Sequence, residues 1–203
     1  MHSIEREKFT LAKRASDFAT DLLKALDERF EYHNLAHTRM VAKAAEEIAR
    51  KSNFKGEALE NIIVAAWFHD TGYSRCIDAH EEKSVEIMRE ALRKWKIPGE
   101  RINAIADIIL ATQMPQQPKN LSCKILCDAD LYHLSEPGFI DHSENLRREM
   151  NRICKKHLTR SEWWKISFEF IRGHCYFTEY GRNVLGPKKE AIVRKLRHSL
   201  IIS

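Results

Sequence analysis

The sequence predicts an all-α fold. Apolar residues recur at three- and four-residue steps along nearly the whole chain, the spacing that lines one face of a helix. Runs of alternating β-branched residues, the mark of half-buried strands, are absent. With 203 residues, 43% of them hydrophobic, the chain can bury one sizeable core, so a single domain over residues 1–203 is expected.

Phe9, Leu11, Ala15, Phe18, Ala19, Leu22, Leu23 and Leu26 fall at helical spacing and predict a first helix packed on the core. Tyr32-His33-Asn34 interrupts that pattern. A second helix begins near His37 and runs through Val41, Ala44, Ala45 and Ile48, until Ser52, Asn53 and Gly56 break it. A third spans Glu57 to Phe68; its second half is apolar nearly all round, which marks a central core helix, and Thr71-Gly72 should stop it. Asp78 and Glu81 have capping-box spacing and predict the start of a fourth helix, which ends before Pro98-Gly99. Ile102, Ile105, Ala106, Ile109 and Leu110 predict a fifth. Pro115 and Pro118 make Gln113–Asn120 a loop, after which Leu121–Leu134 returns to helical period. Further helices are expected at Phe139–His157, Ser161–Ile171 and Lys188–Ile201.

The composition excludes several classes. The longest apolar stretch, Ile62 to Phe68, falls far short of the ~20 residues that cross a bilayer, and the charged N-terminus lacks a signal-peptide apolar region. A cytoplasmic protein without a membrane partner is the expectation. The five cysteines, Cys76, Cys123, Cys127, Cys154 and Cys175, suggest neither a disulfide framework nor a four-thiolate zinc site. A net charge of +5 is modest. The basic tail of Lys188, Lys189, Arg194, Lys195 and Arg197 therefore reads as a solvated helix face, not a nucleic-acid patch.

One constellation carries chemistry. His69-Asp70 stands where a strongly apolar helix ends, an expensive place for two polar groups unless something there satisfies them. The second and third helices are each roughly 20 Å long and joined by a short turn, so the start of one meets the end of the other and His37 comes beside His69 and Asp70. Cys123, Leu126, Cys127, Asp130 and Leu134 share a helix face, which makes Asp130 a carboxylate on a core-facing stripe. Asp128 is its rival, pointing away from that stripe but close enough to support a ligand from behind. Two imidazoles and two carboxylates suit one divalent cation of Mn, Fe, Co, Ni, Zn or Mg.

The ordered elements His37, His69-Asp70 and Asp130, the last within Cys127-Asp128-Ala129-Asp130-Leu131, resemble the HD (His-Asp) family of metal-dependent phosphohydrolases over roughly residues 30–135. Trp67-Phe68-His69-Asp70-Thr71-Gly72-Tyr73, His80-Glu81-Glu82-Lys83-Ser84 and Ala111-Thr112-Gln113-Met114-Pro115 are similar to segments of small bacterial HD proteins. The resemblance implies an HD-type helical bundle with additional C-terminal helices, residues 139–203, packed on it. It also implies hydrolysis of a phosphoester, foremost a nucleotide, by metal-activated water, with Asp70 orienting or deprotonating that water. Tyr32-His33-Asn34-Leu35-Ala36-His37 looks like the signature of class I cyclic-nucleotide phosphodiesterases, which implies that His33 protonates the leaving group. His80 resembles the first extra histidine of two-metal HD proteins, but Thr112-Gln113 stands where another is expected. One metal, with His80 near the substrate phosphate, is the reading that follows.

Lys83 and Arg75 are candidates to neutralise phosphate oxygens, against the plainer reading of solvated side chains. If the substrate is a cyclic nucleotide, Gln113 and Phe177 are candidates to read its base. His174 or Thr178 line the pocket if the C-terminal helices close over it, and the aromatics beside them read as core. His133, His142 and His157 carry no functional assignment. The alternatives to a general phosphohydrolase are a cyclic-nucleotide phosphodiesterase and a non-catalytic sensor that binds a nucleotide or metal.

Overall fold

The computed structural model describes the backbone of residues 10–202 and the side chains of residues 10–197; Phe9 lies outside the described residues. Among these are nine α-helices and no strand. They are α1 (Leu11–Lys24), α2 (Leu35–Lys51), α3 (Gly56–Phe68), α4 (His80–Lys94), α5 (Gly99–Leu110), α6 (Leu121–Asp130), α7 (Phe139–Ile153), α8 (Arg160–Gly173) and α9 (Gly186–Ile202). Short 3-10 turns at Thr71–Ser74 and Tyr132–Ser135 and a π turn at Gly181–Leu185 interrupt the regular helices. None of the described helices is long and apolar enough to cross a membrane.

Local chemistry sets most boundaries. Thr10, Asn34 and Asn120 cap α1, α2 and α6 by accepting backbone N–H groups, and Thr159 with Glu162 forms a reciprocal capping box at α8. The capping box expected from Asp78 and Glu81 does not form. Helix α4 starts one turn position later, behind Ala79, which takes left-handed backbone (φ 57°) and has no capping side chain; Glu81 turns inward instead and faces His80. The helix expected over Leu121–Leu134 stops at Asp130, where the backbone tightens into a 3-10 turn. That expected over Phe139–His157 ends at Ile153, because Lys155 and His157 both adopt left-handed backbone.

Helices α2 and α3 form the antiparallel hairpin anticipated from their lengths, with α1, α4, α5 and α6 packed around it. Val41, Ala45, Ile48, Ile62, Ala65, Phe68, Met88, Leu92, Ile105, Ile109, Ile125 and Leu126 are inaccessible to solvent in this core. Each large side chain among them contributes about 1.5–3 kcal/mol by leaving water. Leu134, Phe139, Ile171, Val193 and Leu196 make a smaller second core among the C-terminal elements.

Polar clamps dock those elements on the bundle. Asp128 is fully buried rather than turned outward, and accepts from Phe177 N and Thr178 N, both at 2.8 Å, and from Thr178 Oγ1 at 2.6 Å. Gly181 lets the chain pass this clamp: a Cβ there would stand 2.3 Å from Asp128 Oδ2. Lys188, Arg194, Lys195 and Arg197 are exposed, as expected of a solvated face. Lys189 departs from it. Its Nζ is buried and donates to Ile171 O (3.1 Å) and His174 O (2.6 Å), so it caps the carbonyl end of α8.

Candidate metal centre and adjoining pocket

Asn34 Oδ1 caps the N–H groups of Ala36 and His37, which sets His37 on the first turn of α2. His69 and Asp70 leave the far end of α3, and Asp130 is the last residue of α6. The three helix ends converge. His37 Nε2 stands 3.4 Å from Asp70 Oδ2 and 3.2 Å from Asp130 Oδ1. His69 Nε2 stands 3.2 Å and 3.5 Å from the same two oxygens.

These spacings suit a shared cation, since ligand atoms about 2.0–2.2 Å from one ion lie roughly 3.0–3.5 Å apart. The donor chemistry agrees. His69 Nδ1–H donates to Ala66 O at 2.8 Å, because a carbonyl can only accept, and this leaves the Nε2 lone pair facing the cluster. His69 Nε2 and Asp70 Oδ2 are buried without a hydrogen-bond partner. Stranding two such atoms costs about 1–3 kcal/mol each unless a ligand satisfies them. The residues present therefore fit a divalent metal, with His37, His69 and Asp70 as the buried group that could hold it.

Electrostatics follow from the crowding. Burial works against the charged form of Asp70, but the imidazoles of His69, His33 and His37 outweigh it and hold the carboxyl below its usual range. Burial likewise disfavours a charged His33; its hydrogen bond to Glu149 and the charges of Asp70, Glu149 and Asp130 overcome it and raise its pKa.

The Thr71–Ser74 turn places the next groups. Gly72 N donates to Ser84 Oγ at 2.8 Å, and Ser84 Oγ–H donates to His69 O, which ties the turn to the first helical turns of α4. Only glycine allows this approach: a Cβ on residue 72 would lie 1.8 Å from His80 O. Tyr73 is then sandwiched between His33 (centroids 4.3 Å, 24°) and His80 (4.1 Å, 20°). His80 Nε2 ends 3.7 Å from Asp70 Oδ1 and 3.4 Å from Glu81 Oε1.

A cavity of about 320 Å³ opens over the cluster. His33, Asp70, His80 and Asp130 lie on its floor, and the C-terminal helices supply its opposite wall through Phe139, Leu146, Trp163, Ile166 and Phe170. The other sequence candidates lie elsewhere. Arg75 pairs with Glu90 at 2.8 Å and Lys83 with Glu86 at 2.8 Å, both half-exposed and outside the cavity lining, because neighbouring carboxylates on α4 hold them along its outer face. Gln113 bonds Glu82 in an adjoining polar groove. Phe177 and Thr178 border a third recess beyond the Asp128 clamp, and His174 is turned towards Phe170 and Tyr176 without lining the cavity.

Several residues in the cavity lining or just behind it escaped the sequence reading. Glu149, from α7, accepts from Tyr32 N (2.8 Å), His33 N (2.9 Å) and His33 Nδ1–H, and so locks the histidine ring over the cavity. His133 and His142, read as plain surface or core residues, line the cavity as well. Burial and then the charge of His37 depress His133 to about 3, so it stays neutral beside Tyr32 Oη at 3.1 Å. A carboxylate 116 positions from its histidine leaves no local signature, and only an amphipathic α7 hinted that something on it faces inward.

Comparison with known proteins places the chain. The model of the HD domain family matches residues 34–135, half of the chain, and the protein belongs to that family. HD domains are in general metal-dependent hydrolases. The fold is similar to that of a predicted HD superfamily hydrolase from an uncultured Thermotogales bacterium, with a TM-score of 0.66 and 18% identity over 99% of this chain and 98% of that one. No curated protein matches in sequence.

Proposed function

We propose that this protein is a metal-dependent phosphohydrolase that cleaves a small phosphoester, the class to which its sequence resemblance points being nucleotides. One divalent cation would be held by His37, His69, Asp70 and Asp130. The observation that supports the reading is the convergence of the buried donor atoms of His37, His69 and Asp70, with Asp130 Oδ1 3.2 and 3.5 Å from the two imidazoles, beside a cavity that Asp70 and Asp130 line. A bound cation of this kind acidifies water and offsets charge on phosphoryl oxygens.

The chain's own residues supply the remainder. Asp70 Oδ1, on the side of His80, is the acceptor available to take a proton from attacking water. The pKa of His33 is raised, because the bond to Glu149 and the charges of the site carboxylates outweigh its burial, and this favours the protonated ring. Its Nδ1 is taken by Glu149, which leaves Nε2 to protonate the departing oxygen. Tyr73 stacks on both imidazoles and restrains their ring orientation beside the cavity.

Elemental analysis of the purified protein, joined to a phosphoester panel assayed with Mn, Co, Ni and Mg, tests this directly. The expected result is one equivalent of metal, turnover that depends on it, and loss of both in Asp70→Ala. Tight nucleotide binding with no hydrolysis under any metal would replace the enzyme with a sensor.

A further inference from the structure

The cavity wall states what kind of phosphoester the site accepts. Among the described residues, no lysine or arginine lines it. The nearest sequence candidates, Arg75 and Lys83, are engaged by surface glutamates. The lining carries the carboxylates Asp70, Asp130 and Glu81. One divalent cation offsets the first two, and the His33 ring is paired with Glu149, so the lining holds no fixed positive charge for a second or third phosphate. Chains of phosphates are normally gripped by lysine or arginine; here they would meet Glu81.

The far wall is the reverse of polar. Trp163, Ile166 and Phe170 recur at three and four residues along one face of α8 and point at the cavity together with Phe139 and Leu146. Ile166 and Phe170 remain 49% and 39% exposed, large apolar groups left partly open to solvent. The polar atoms on this wall satisfy one another. Trp163 Nε1–H donates to Ser143 Oγ at 2.9 Å, and Ser143 Oγ lies 3.0 Å from Ser167 Oγ. Thr112 spends its hydroxyl on Ile109 O at 2.8 Å. No amide side chain lines the cavity among the described residues, so the edge of a purine or pyrimidine finds few partners there.

We infer that the substrate carries a single phosphoryl group on an aromatic or branched apolar organic group, which lies against Trp163, Ile166 and Phe170 while the phosphoryl group faces the His37–His69–Asp70–Asp130 cluster. Nucleoside polyphosphates are excluded by charge. This narrows the phosphohydrolase reading and rests on it for the orientation of the phosphoryl group.

The test separates the two. Calorimetry on manganese-loaded protein compares 1-naphthylmethylphosphonate, methylphosphonate and α,β-methylene-ADP, none of which needs to be turned over. The naphthyl compound should bind on the order of thirtyfold tighter than methylphosphonate, as burial of one aryl group against an apolar wall implies, and tighter than the diphosphonate. Ile166→Ser and Phe170→Ser, both at exposed positions where folding is retained, should reduce that preference at least fivefold and leave methylphosphonate unchanged. Equal affinities, no naphthyl binding, tightest binding of the diphosphonate, or variants that keep the preference would each overturn the inference. Hydrolysis of naphthyl phosphate and of AMP is measured alongside. Naphthyl binding without hydrolysis of any ester would remove the enzyme reading and keep the ligand class; hydrolysis without apolar preference would do the opposite.

Discussion

Replacing Glu149 with alanine removes the buried side chain that ties α7 to the loop before α2, where Arg148 and Arg152 reach Glu31 nearer the surface. The carboxylate is 5% exposed and accepts three hydrogen bonds, from Tyr32 N, His33 N and His33 Nδ1. Its loss leaves two backbone donors unpaired in a mostly buried setting, each worth about 1–3 kcal/mol, and deprives the His33 ring of the carboxylate that favours its charged form. Partial rehydration offsets some of this, so a net loss of about 3 kcal/mol is expected, or roughly 6–12 °C in Tm for a chain of this size. Glu149→Gln keeps an acceptor for the backbone and should cost about 1 kcal/mol, yet it removes the charge that favours the protonated His33 ring. With burial then unopposed by Glu149, the His33 pKa falls, and phosphoester turnover at neutral pH should drop about a hundredfold in both variants. Metal affinity should stay within threefold, since Glu149 bonds none of the four proposed ligands. Urea unfolding, turnover against pH and manganese titration read the three quantities. A Glu149→Ala protein within 0.5 kcal/mol of the parent, or a Glu149→Gln protein with parental turnover, would refute the reasoning.

Three further outcomes follow from the packing. Gly72→Ala drives a methyl group into the His80 carbonyl at 1.8 Å and Ser84 N at 2.8 Å; backbone must move, so a loss of about 3 kcal/mol or more and weakened metal binding are expected, and an unchanged Tm would contradict the close approach. Asp128→Ala strands Phe177 N, Thr178 N and Thr178 Oγ1, at a cost of about 2–4 kcal/mol, and amide exchange should accelerate first in residues 176–181; uniform acceleration would count against a local clamp. His174 is pushed down to about 4 by burial and by Lys189. Its folded form is neutral, so its share of stability is complete above the ordinary value of about 6.5, is lost as pH falls from there towards 4, and amounts to at most about 3 kcal/mol. Unfolding curves of the parent and of His174→Gln between pH 4 and 7 should therefore converge at the acid end; parallel curves would show that His174 does not titrate differently on folding.

Much of the helical framework could be read from spacing because amphipathic period is a local property. The apolar run of α3 and the polar pair His69-Asp70 at its end are enough to raise the question of what satisfies them, and a short turn back to α2 brings His37 to the same place. Boundaries proved harder where backbone sign mattered: Ala79, Lys155 and His157 take left-handed conformations that their side chains do not announce. Charge roles were harder still. Arg75 and Lys83 stand near the His-Asp pair in sequence, but Arg75, just past the Thr71–Ser74 turn, and Lys83, on the first turn of α4, are engaged by Glu90 and Glu86 of α4.

What the sequence by itself determined is the set of helices, which rests on periodicity, the family, which rests on the resemblance of its His-Asp motifs, and the convergence of His37, His69, Asp70 and Asp130, groups at the ends of helices that pack against one another. The tertiary structure alone decided what surrounds that cluster. Glu149 behind His33, the stacked Tyr73, the buried clamp of Asp128 and the apolar wall of Trp163, Ile166 and Phe170 all depend on where α7 and α8 come to rest over the bundle. Contacts between residues tens to more than a hundred positions apart are fixed by the joint packing of many side chains, and no short stretch of chain encodes them.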